Sequence, residues 1–491
     1  MFSFDNTYAR ELQGFYVACL PTATPQPHLL RLNRALAEEL GLHLEGLDDQ
    51  RLAAIFSGNE VPEGASSLAQ AYAGHQFGGF SPQLGDGRAL LLGEVIDRHG
   101  QRRDIAFKGS GRTPYSRRGD GKAAVGPVLR EYLLGEAMHA MGVPTTRALA
   151  AVATGEPVFR ERALPGAVLT RVAASHLRVG TFEYFAAQGD HARVRQLADY
   201  AIARHYPDLV GDPNRYLELL RAVSERQAAL VARWMLVGFI HGVMNTDNMA
   251  ISGETIDYGP CAFLESFNPR AVFSSIDSGG RYAYGNQPAI AQWNLTRFAE
   301  TLLTCIDPVS PDRAIPAATD ALEAFPFRYQ AHWLSGVRAR LGLGPGGDED
   351  EDFTLANDWL ALLFAQSVDY TLAWRRLADA AEGNTVPLSA LFTDGAALST
   401  WLERWSARCD TDGVPAGARA NAMRLVSPIH IPRNHIVEEA LTAASDEGDL
   451  GPFDRLVEVL ARPFEERPGL QRYATPARPE VTASYRTFCG T

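Results

Sequence analysis

The chain has 491 residues, 46% of them hydrophobic and 21% charged, enough apolar mass to bury a large core in two or three lobes. A formal net charge of −12 argues against general binding to nucleic acid or anionic membranes, because such surfaces must be met with positive charge. No apolar run reaches transmembrane length, and the opening MFSFDNTYAREL lacks the basic region and apolar core of a signal peptide, so a cytoplasmic location is expected.

In chain order, residues 1–70 alternate short helical patterns with turns, and glycine then becomes dense from Gly74 to Gly126. RALLLGEVI, DRHGQ and RRDIAFKG predict a β-hairpin with Ile105 and Phe107 on one strand face and Ala106 and Lys108 on the other. GPVLREYLLGEAMHAMGVP predicts a helix, with Pro127 near its start, Gly142 at its end and Pro144 beyond. TTRALAAVAT and GAVLTRVA supply two further strands, and residues 190–240 turn helical. GLGPGGDEDED, residues 342–352, is expected to be a flexible linker with a solvated acidic run, followed by a mainly helical remainder. Cys19, Cys261, Cys305, Cys409 and Cys489 are scattered without a CxxC pair, which disfavours a structural zinc site or a secreted disulfide framework.

Only two of the 46 Lys and Arg residues are lysine, Lys108 and Lys122, and both lie in the glycine-rich stretch. GC-rich coding explains a drift toward arginine, but a surviving lysine points to a site that needs a compact ammonium. Around it, QLGDGRALLLGEV and KGSGRTPYSRRGDGKAAVG bring glycines that let backbone N–H groups approach phosphate oxygens. Neither standard phosphate motif is present. The P-loop pattern fails at Ser116 and Ala123, and GxGxxG fails at Pro114 and Leu90. The strand position of Lys108 and the helix position of Glu131 allow a lysine that grips phosphates while a glutamate holds it, with Glu136 as the other helical acid.

A third constellation is HGVMNTDNMAISGETIDYGP. His241 to Asn248, followed by Asp257-Tyr258-Gly259, fits a kinase-like catalytic loop and an Asp-x-Gly metal ligand, although Val243 stands where the usual catalytic aspartate belongs. Asn248 and Asp257 could give oxygen ligands to a hard divalent cation, Asp247 is available as a base, and His241 reads as structural.

With AYAGHQFGGFSPQLGDGRALLLGEV, FKGSGRTPYSRRGDGKA, GVPTTRAL, RVAASHLRVGTFE, HGVMNTDNMAISGETIDYGP and GRYAYGNQPAIAQWNL, the chain resembles the selenoprotein O family of protein adenylyltransferases over residues 71–295. The resemblance implies an α+β, protein-kinase-like bilobal fold, with a β-rich N-lobe holding one key helix and a mainly helical C-lobe. The corresponding segments are an N-terminal extension (1–70), the N-lobe (71–180), the C-lobe with catalytic loop and DYG (181–340), and a linker with a helical C-terminal region (341–491). It also implies transfer of AMP from ATP, bound in flipped orientation, to Ser, Thr or Tyr hydroxyls of client proteins, redox proteins among them, with release of pyrophosphate.

Carried over residue by residue, the resemblance assigns Gly85, Gly87, Arg88, Lys108, Asp120, Gly121, Arg171, Arg178 and Asp257 to the nucleotide and Glu131 to bracing Lys108. Asp247 matches the proton acceptor, and Asn248 with Asp257 match the ligands of Mg²⁺ or Mn²⁺. Cys489 stands near the place of a terminal selenocysteine in eukaryotic relatives, which implies a redox role, but AVFSSIDSGGRY lacks the cysteine that some bacterial relatives would pair with it, leaving Cys261 or Cys305 as alternatives. The alternative to catalysis is a nucleotide-sensing pseudoenzyme that binds partners, suggested by Val243 and the large helical C-terminal region.

Overall fold

The computed structural model describes residues 2–344 and 346–488 and shows a mixed α+β chain with a sheet-rich part and a helical part. Its strands are β1 (Tyr16–Ala18), β2 (His28–Leu32), β3 (Leu68–Gln70), β4 (Gly74–Gln76), β5 (Gly79–Ser81), β6 (Ala89–Ile96), β7 (Arg102–Lys108), β8 (Ala123–Ala124), β9 (Arg147–Phe159), β10 (Ala163–Ala173), β11 (Phe239–Ile240) and β12 (Ala262–Phe263). Eight of them form one antiparallel sheet in the order β1-β3-β6-β7-β10-β9-β2, with β8 added to β10.

The expected hairpin is β6–β7, with Ala89 opposite Lys108 and Leu90 opposite Phe107. Its turn is fixed by Asp97, whose Oδ1 accepts from the backbone N–H groups of His99 and Gln101. Strand alternation sends Ile105 and Phe107 into a core beneath the helix Asp49–Ser57, where they meet Leu52, Ile55 and Phe56. Burying such side chains contributes roughly 1.5–3 kcal/mol each. Ala106 and Lys108 consequently face the other side, toward the helix Val125–Ala140. This helix ends where expected, Gly142 taking a left-handed φ of +76° just past its C-terminus. Leu129 and Leu133 of the helix pack between Ala151 and Leu169 of the sheet and Phe453 and Leu456 of a C-terminal helix.

Two expectations change. Residues 1–70 are not only helices and turns, because they give β1, β2 and β3 to the main sheet. HLLRL becomes a strand because β9, more than 110 residues away in sequence, offers it an edge, and strand formation depends on such partners more than on local propensity. The acidic run is not a loop either, although Asp348, Glu349, Asp350 and Glu351 are exposed to solvent as expected. Asp348 caps a helix over Glu349–Ala365, accepting from the N–H groups of Asp350 and Glu351. Asp352 is buried between Arg338 Nε (2.6 Å) and Arg408 Nε (2.7 Å).

The helical part is organised around the long helices Arg215–Val237 and Gln287–Ile306, whose apolar faces share one core with Trp359 and Trp374. Gly238 ends the first with a φ of +75° and turns the chain into β11. Pairing of β11 with β12 closes residues 241–261 into a loop held against the sheet by bridges Arg178–Ala250 and Thr145–Thr255. Among the described residues, no helix is long and apolar enough to cross a membrane.

Candidate active site

A cavity of about 540 Å³ lies where that loop meets β6, β7 and β10. Gly85, Gly87, Arg88, Lys108, Asp120, Gly121, Arg171, Arg178, Asp247, Asn248 and Asp257 all line it. Glu131 stands behind the wall. Lys108 Nζ donates to Glu131 Oε2 at 2.5 Å and to Asp257 Oδ1 at 2.7 Å, so the strand lysine bridges the helix acid and the aspartate of DYG. Glu136, the other helical acid, is taken up by Arg147 and Asn33 instead.

Arg171, opposite Ala106 on β10, duplicates the bridge from below. Its Nη1 reaches Asp257 Oδ1 at 2.8 Å and Glu131 Oε1 at 3.1 Å. Arg178 comes from the residue preceding the helix Val179–Ala186, lies over the Tyr72 ring at 4.4 Å, and approaches Asp86 Oδ1 (3.4 Å) and Asp257 Oδ2 (3.9 Å). Burial would raise the carboxyl of Asp257, but Lys108, Arg171 and Arg178 outweigh it and hold the group well below the usual carboxylate range. Asp257 also has a φ of +64°, an unfavourable conformation for a non-glycine residue, which the three cations over-determine.

Asp247 and Asn248 sit on a single helical turn, Thr246–Asn248. Asn248 Nδ2 donates to Val243 O at 3.0 Å, which leaves its amide oxygen as the atom able to meet a cation. Asp247 Oδ1 is buried and accepts no hydrogen bond. Burial pushes this carboxyl up to about 7 against the pull of Arg178. The strand β4 comes so close that a Cβ on Gly74 would lie 2.6 Å from Asp247 Oδ1, so a larger residue there would displace the aspartate. Asn248 and Asp257 line the cavity with oxygen donors of the kind that suits a hard divalent cation, provided further oxygens come from phosphates or water.

The remaining sequence-derived residues behave differently. Asp120 is at the rim, held by both guanidinium nitrogens of Arg160 (2.8 and 3.0 Å) and by Lys122 N. Lys122 itself pairs with Glu156 at 2.7 Å. A Cβ on Gly85, which holds a φ of +68°, would fall 2.3 Å from the Tyr115 ring, so this glycine lets one rim loop seat against the other. His241 is buried outside the cavity, its Nε2 at 2.9 Å from Ile256 O, in the structural place expected for it. Cys489 lies outside the described residues, while Cys261 and Cys305 are buried free thiols.

Sequence reasoning missed Asp86, Tyr72, and the pair His75 and Glu183 that holds Thr246 of the Asp247 turn. A signal for Asp86 existed: Gly85-Asp86-Gly87-Arg88 repeats the pattern Gly119-Asp120-Gly121-Lys122. The family resemblance assigns only the second of these aspartates to the nucleotide, and the first is the buried one.

A sequence model of the family described as Protein adenylyltransferase SelO matches residues 1–461. A protein of Chromobacterium violaceum named Protein nucleotidyltransferase YdiU is 64% identical over 96% of this chain and 98% of its own. Proteins of the same name from Cereibacter sphaeroides and Rhizobium meliloti are 62% and 59% identical, covering 100% of this chain and 100% and 99% of theirs. With the lysine–glutamate–aspartate cluster and the oxygen-rich turn on one cavity wall, these full-length matches make the chain a nucleotidyltransferase and a member of the SelO family.

Proposed function

We propose that the cavity binds ATP and that the enzyme transfers AMP to Ser, Thr or Tyr hydroxyls of client proteins. In this reading the sheet-rich and helical parts are the two lobes of a protein-kinase-like fold, supported by the order strand lysine, helix glutamate, loop asparagine and Asp-Tyr-Gly. The observation that carries it is Asp247 Oδ1: a buried carboxylate oxygen without a partner, on the wall of a cavity that also holds Lys108, Arg171 and Arg178. An unsatisfied buried acceptor is costly and is retained where it has work to do on a bound group.

ATP would lie with its triphosphate against Lys108, Arg88, Arg171 and Arg178 and its α-phosphate beside Asp247. Glu131 fixes the lysine ammonium so that it meets phosphate without reorganising. A divalent ion, Mg²⁺ or Mn²⁺, would be held by Asn248 and Asp257 with phosphate oxygens and would neutralise charge on the phosphates. The client hydroxyl oxygen forms a bond to the α-phosphorus and its proton passes to Asp247. The bond from that phosphorus to the bridging oxygen breaks, and pyrophosphate leaves with the electron pair.

Label from α-labelled ATP is expected on protein, none from γ-labelled ATP, and none of either after Asp257→Ala. Transfer of γ-label would make the enzyme a kinase. ATP binding without any covalent product would favour the pseudoenzyme reading, for which Val243 in place of the usual aspartate is the motive.

A further inference from the structure

The β4–β5 hairpin borders the Asp247 side of the cavity. It is clamped to the catalytic turn. His75 N donates to Thr246 Oγ1 (2.7 Å), Thr246 Oγ1 donates to one oxygen of Glu183, and the other oxygen of Glu183 meets His75 Nδ1. Phe77 N donates to Asn245 Oδ1 at 3.1 Å and to the Tyr282 hydroxyl at 3.2 Å.

A hairpin that only covered the turn would hide its large side chains. Here Phe77 is 39% and Phe80 42% exposed, and nearby Ile276 is 50% exposed. Phe77 holds a φ of +52°, a left-handed backbone that costs a non-glycine residue on the order of 1 kcal/mol and clusters at working surfaces. Beside the hairpin tip, the Arg281 guanidinium lies 4.8 Å from the Trp293 ring centroid and 3.7 Å from where Gly78 would carry a Cβ. Arg281 makes no ion pair among the described residues. Phe77 and Ile276 also line the cavity that holds Asp247, so the apolar lip is continuous with the site of transfer.

We propose that Phe77, Phe80, Ile276 and Arg281 form the docking lip for the client: an extended protein segment whose hydroxyl reaches Asp247 while an adjacent aromatic or aliphatic side chain lies on the phenylalanines and a neighbouring carboxylate pairs with Arg281. The proposal rests on the adenylyl-transfer reading above and adds the chemistry that selects the acceptor. Aromatic side chains and arginine are the residue types enriched at protein–protein contacts, and Arg281, held over the Trp293 ring, keeps its charge free of an acidic partner among the described residues. The short ties to Thr246 and Asn245 mean that a segment seated on the lip is placed in register with Asp247.

The test uses the full chain, α-labelled ATP and three synthetic acceptors: Ala-Gly-Phe-Ser-Asp-Gly, its counterpart with Gly for Phe, and its counterpart with Lys for Asp. The expected wild-type KM is about tenfold lower for the first than for either other. Phe80→Ala should raise the KM for the Phe-bearing peptides about tenfold, with kcat and ATP affinity unchanged. Arg281→Glu should invert the preference, favouring the Lys peptide, a gain that a misfolded variant could not show. Equal KM for all three peptides, or a Phe80→Ala effect confined to kcat or to ATP affinity, overturns the lip. Label on the enzyme's own chain reports adenylyl transfer independently. An active enzyme indifferent to the peptides therefore overturns the lip alone, whereas loss of label on every acceptor overturns both proposals.

Discussion

Two ends of the same strand carry buried ion networks that look alike and behave differently. At one end of β7, Asp104 accepts from Arg204 Nη2 (2.6 Å) and from the backbone and ring of His176 (both 2.9 Å), and Arg204 also reaches Glu94. Glu94 in turn accepts from Tyr8 N at 2.7 Å. Every group is enclosed, Glu94 being 0% and Asp104 1% exposed. Four residues on, along the same strand face, Lys108 joins Glu131, Arg171 and Asp257, but this cluster opens onto a cavity and has Asp247 beside it with an oxygen unmatched. A network whose acids are all paired ties N-terminal residues, sheet and helices together, whereas one that opens onto a cavity with a carboxylate oxygen unmatched is poised for a ligand.

The contrast can be broken at either end. Asp247→Asn should lower adenylyl transfer by about 10²–10⁴-fold while leaving the melting temperature unchanged or higher, because it removes a charge that the folded protein does not satisfy. A large fall in stability instead would place Asp247 among the structural acids. Arg204→Ala should cost about 3–5 kcal/mol, leaving Glu94 and Asp104 buried without their cation, and denaturant unfolding would show it. A stable Arg204→Ala protein with lost activity would erase the distinction between the two ends.

Lys108→Arg should reduce transfer by roughly 10–100-fold despite keeping the charge, since Arg171 already occupies the same two carboxylates and little room remains for a planar fork. Lys122→Arg should change little, its Glu156 partner at the rim accepting either cation. Kinetics of the two variants side by side isolate the buried lysine from the accidental one.

The smallest effect is on pH. Burial, then Arg204 and Arg226, depress His205 to about 3, so the folded state holds it neutral while the unfolded chain protonates it near 6.5. Its contribution is therefore fully present above pH 6.5 and is lost as pH falls toward 3. Burial alone would raise Asp104, but Arg204 and His176 outweigh it and hold it at about 2, adding a loss between the unfolded value near 3.8 and 2. Asp247, held up at about 7, contributes in the opposite sense, gaining stability as pH falls from 7 toward 3.8, so the His205 effect is read as a difference. Between pH 7 and 5 the melting temperature of His205→Gln should fall less, or rise more, than that of the parent, and identical slopes in the two proteins would count against a neutral buried His205.

Much of this site was legible because its local parts are spaced by rules. Alternation along RRDIAFK placed Lys108 opposite the apolar face, and proline and glycine bounded the helix that carries Glu131. The positions of Asn248 and Asp257 followed from loop spacing. Partnerships between distant residues were not legible. Asp120 lines the cavity, but that Arg160, 40 residues away, holds it at the rim and that Asp86 in the twin motif lies beneath Arg178 is written in no local pattern. The acidic run reads as a solvated loop by charge alone, and Asp348, Glu349, Asp350 and Glu351 are exposed, but capping by Asp348 makes the run helical and two arginines, one 56 residues away, bury Asp352.

The sequence by itself determined the chemical inventory: one strand lysine and one helix glutamate, an oxygen-rich turn, an Asp-Tyr-Gly, and arginine almost everywhere else, because these depend on residue type and short-range periodicity. Only the tertiary structure decided which acids are satisfied and which are left open. That depends on sheet closure bringing residues such as Asp86 and Arg178, or Lys108 and Asp257, within a few ångströms, and on the desolvation that burial then imposes. Pairing across such separations is set by the packing of the whole fold, and no local pattern encodes it.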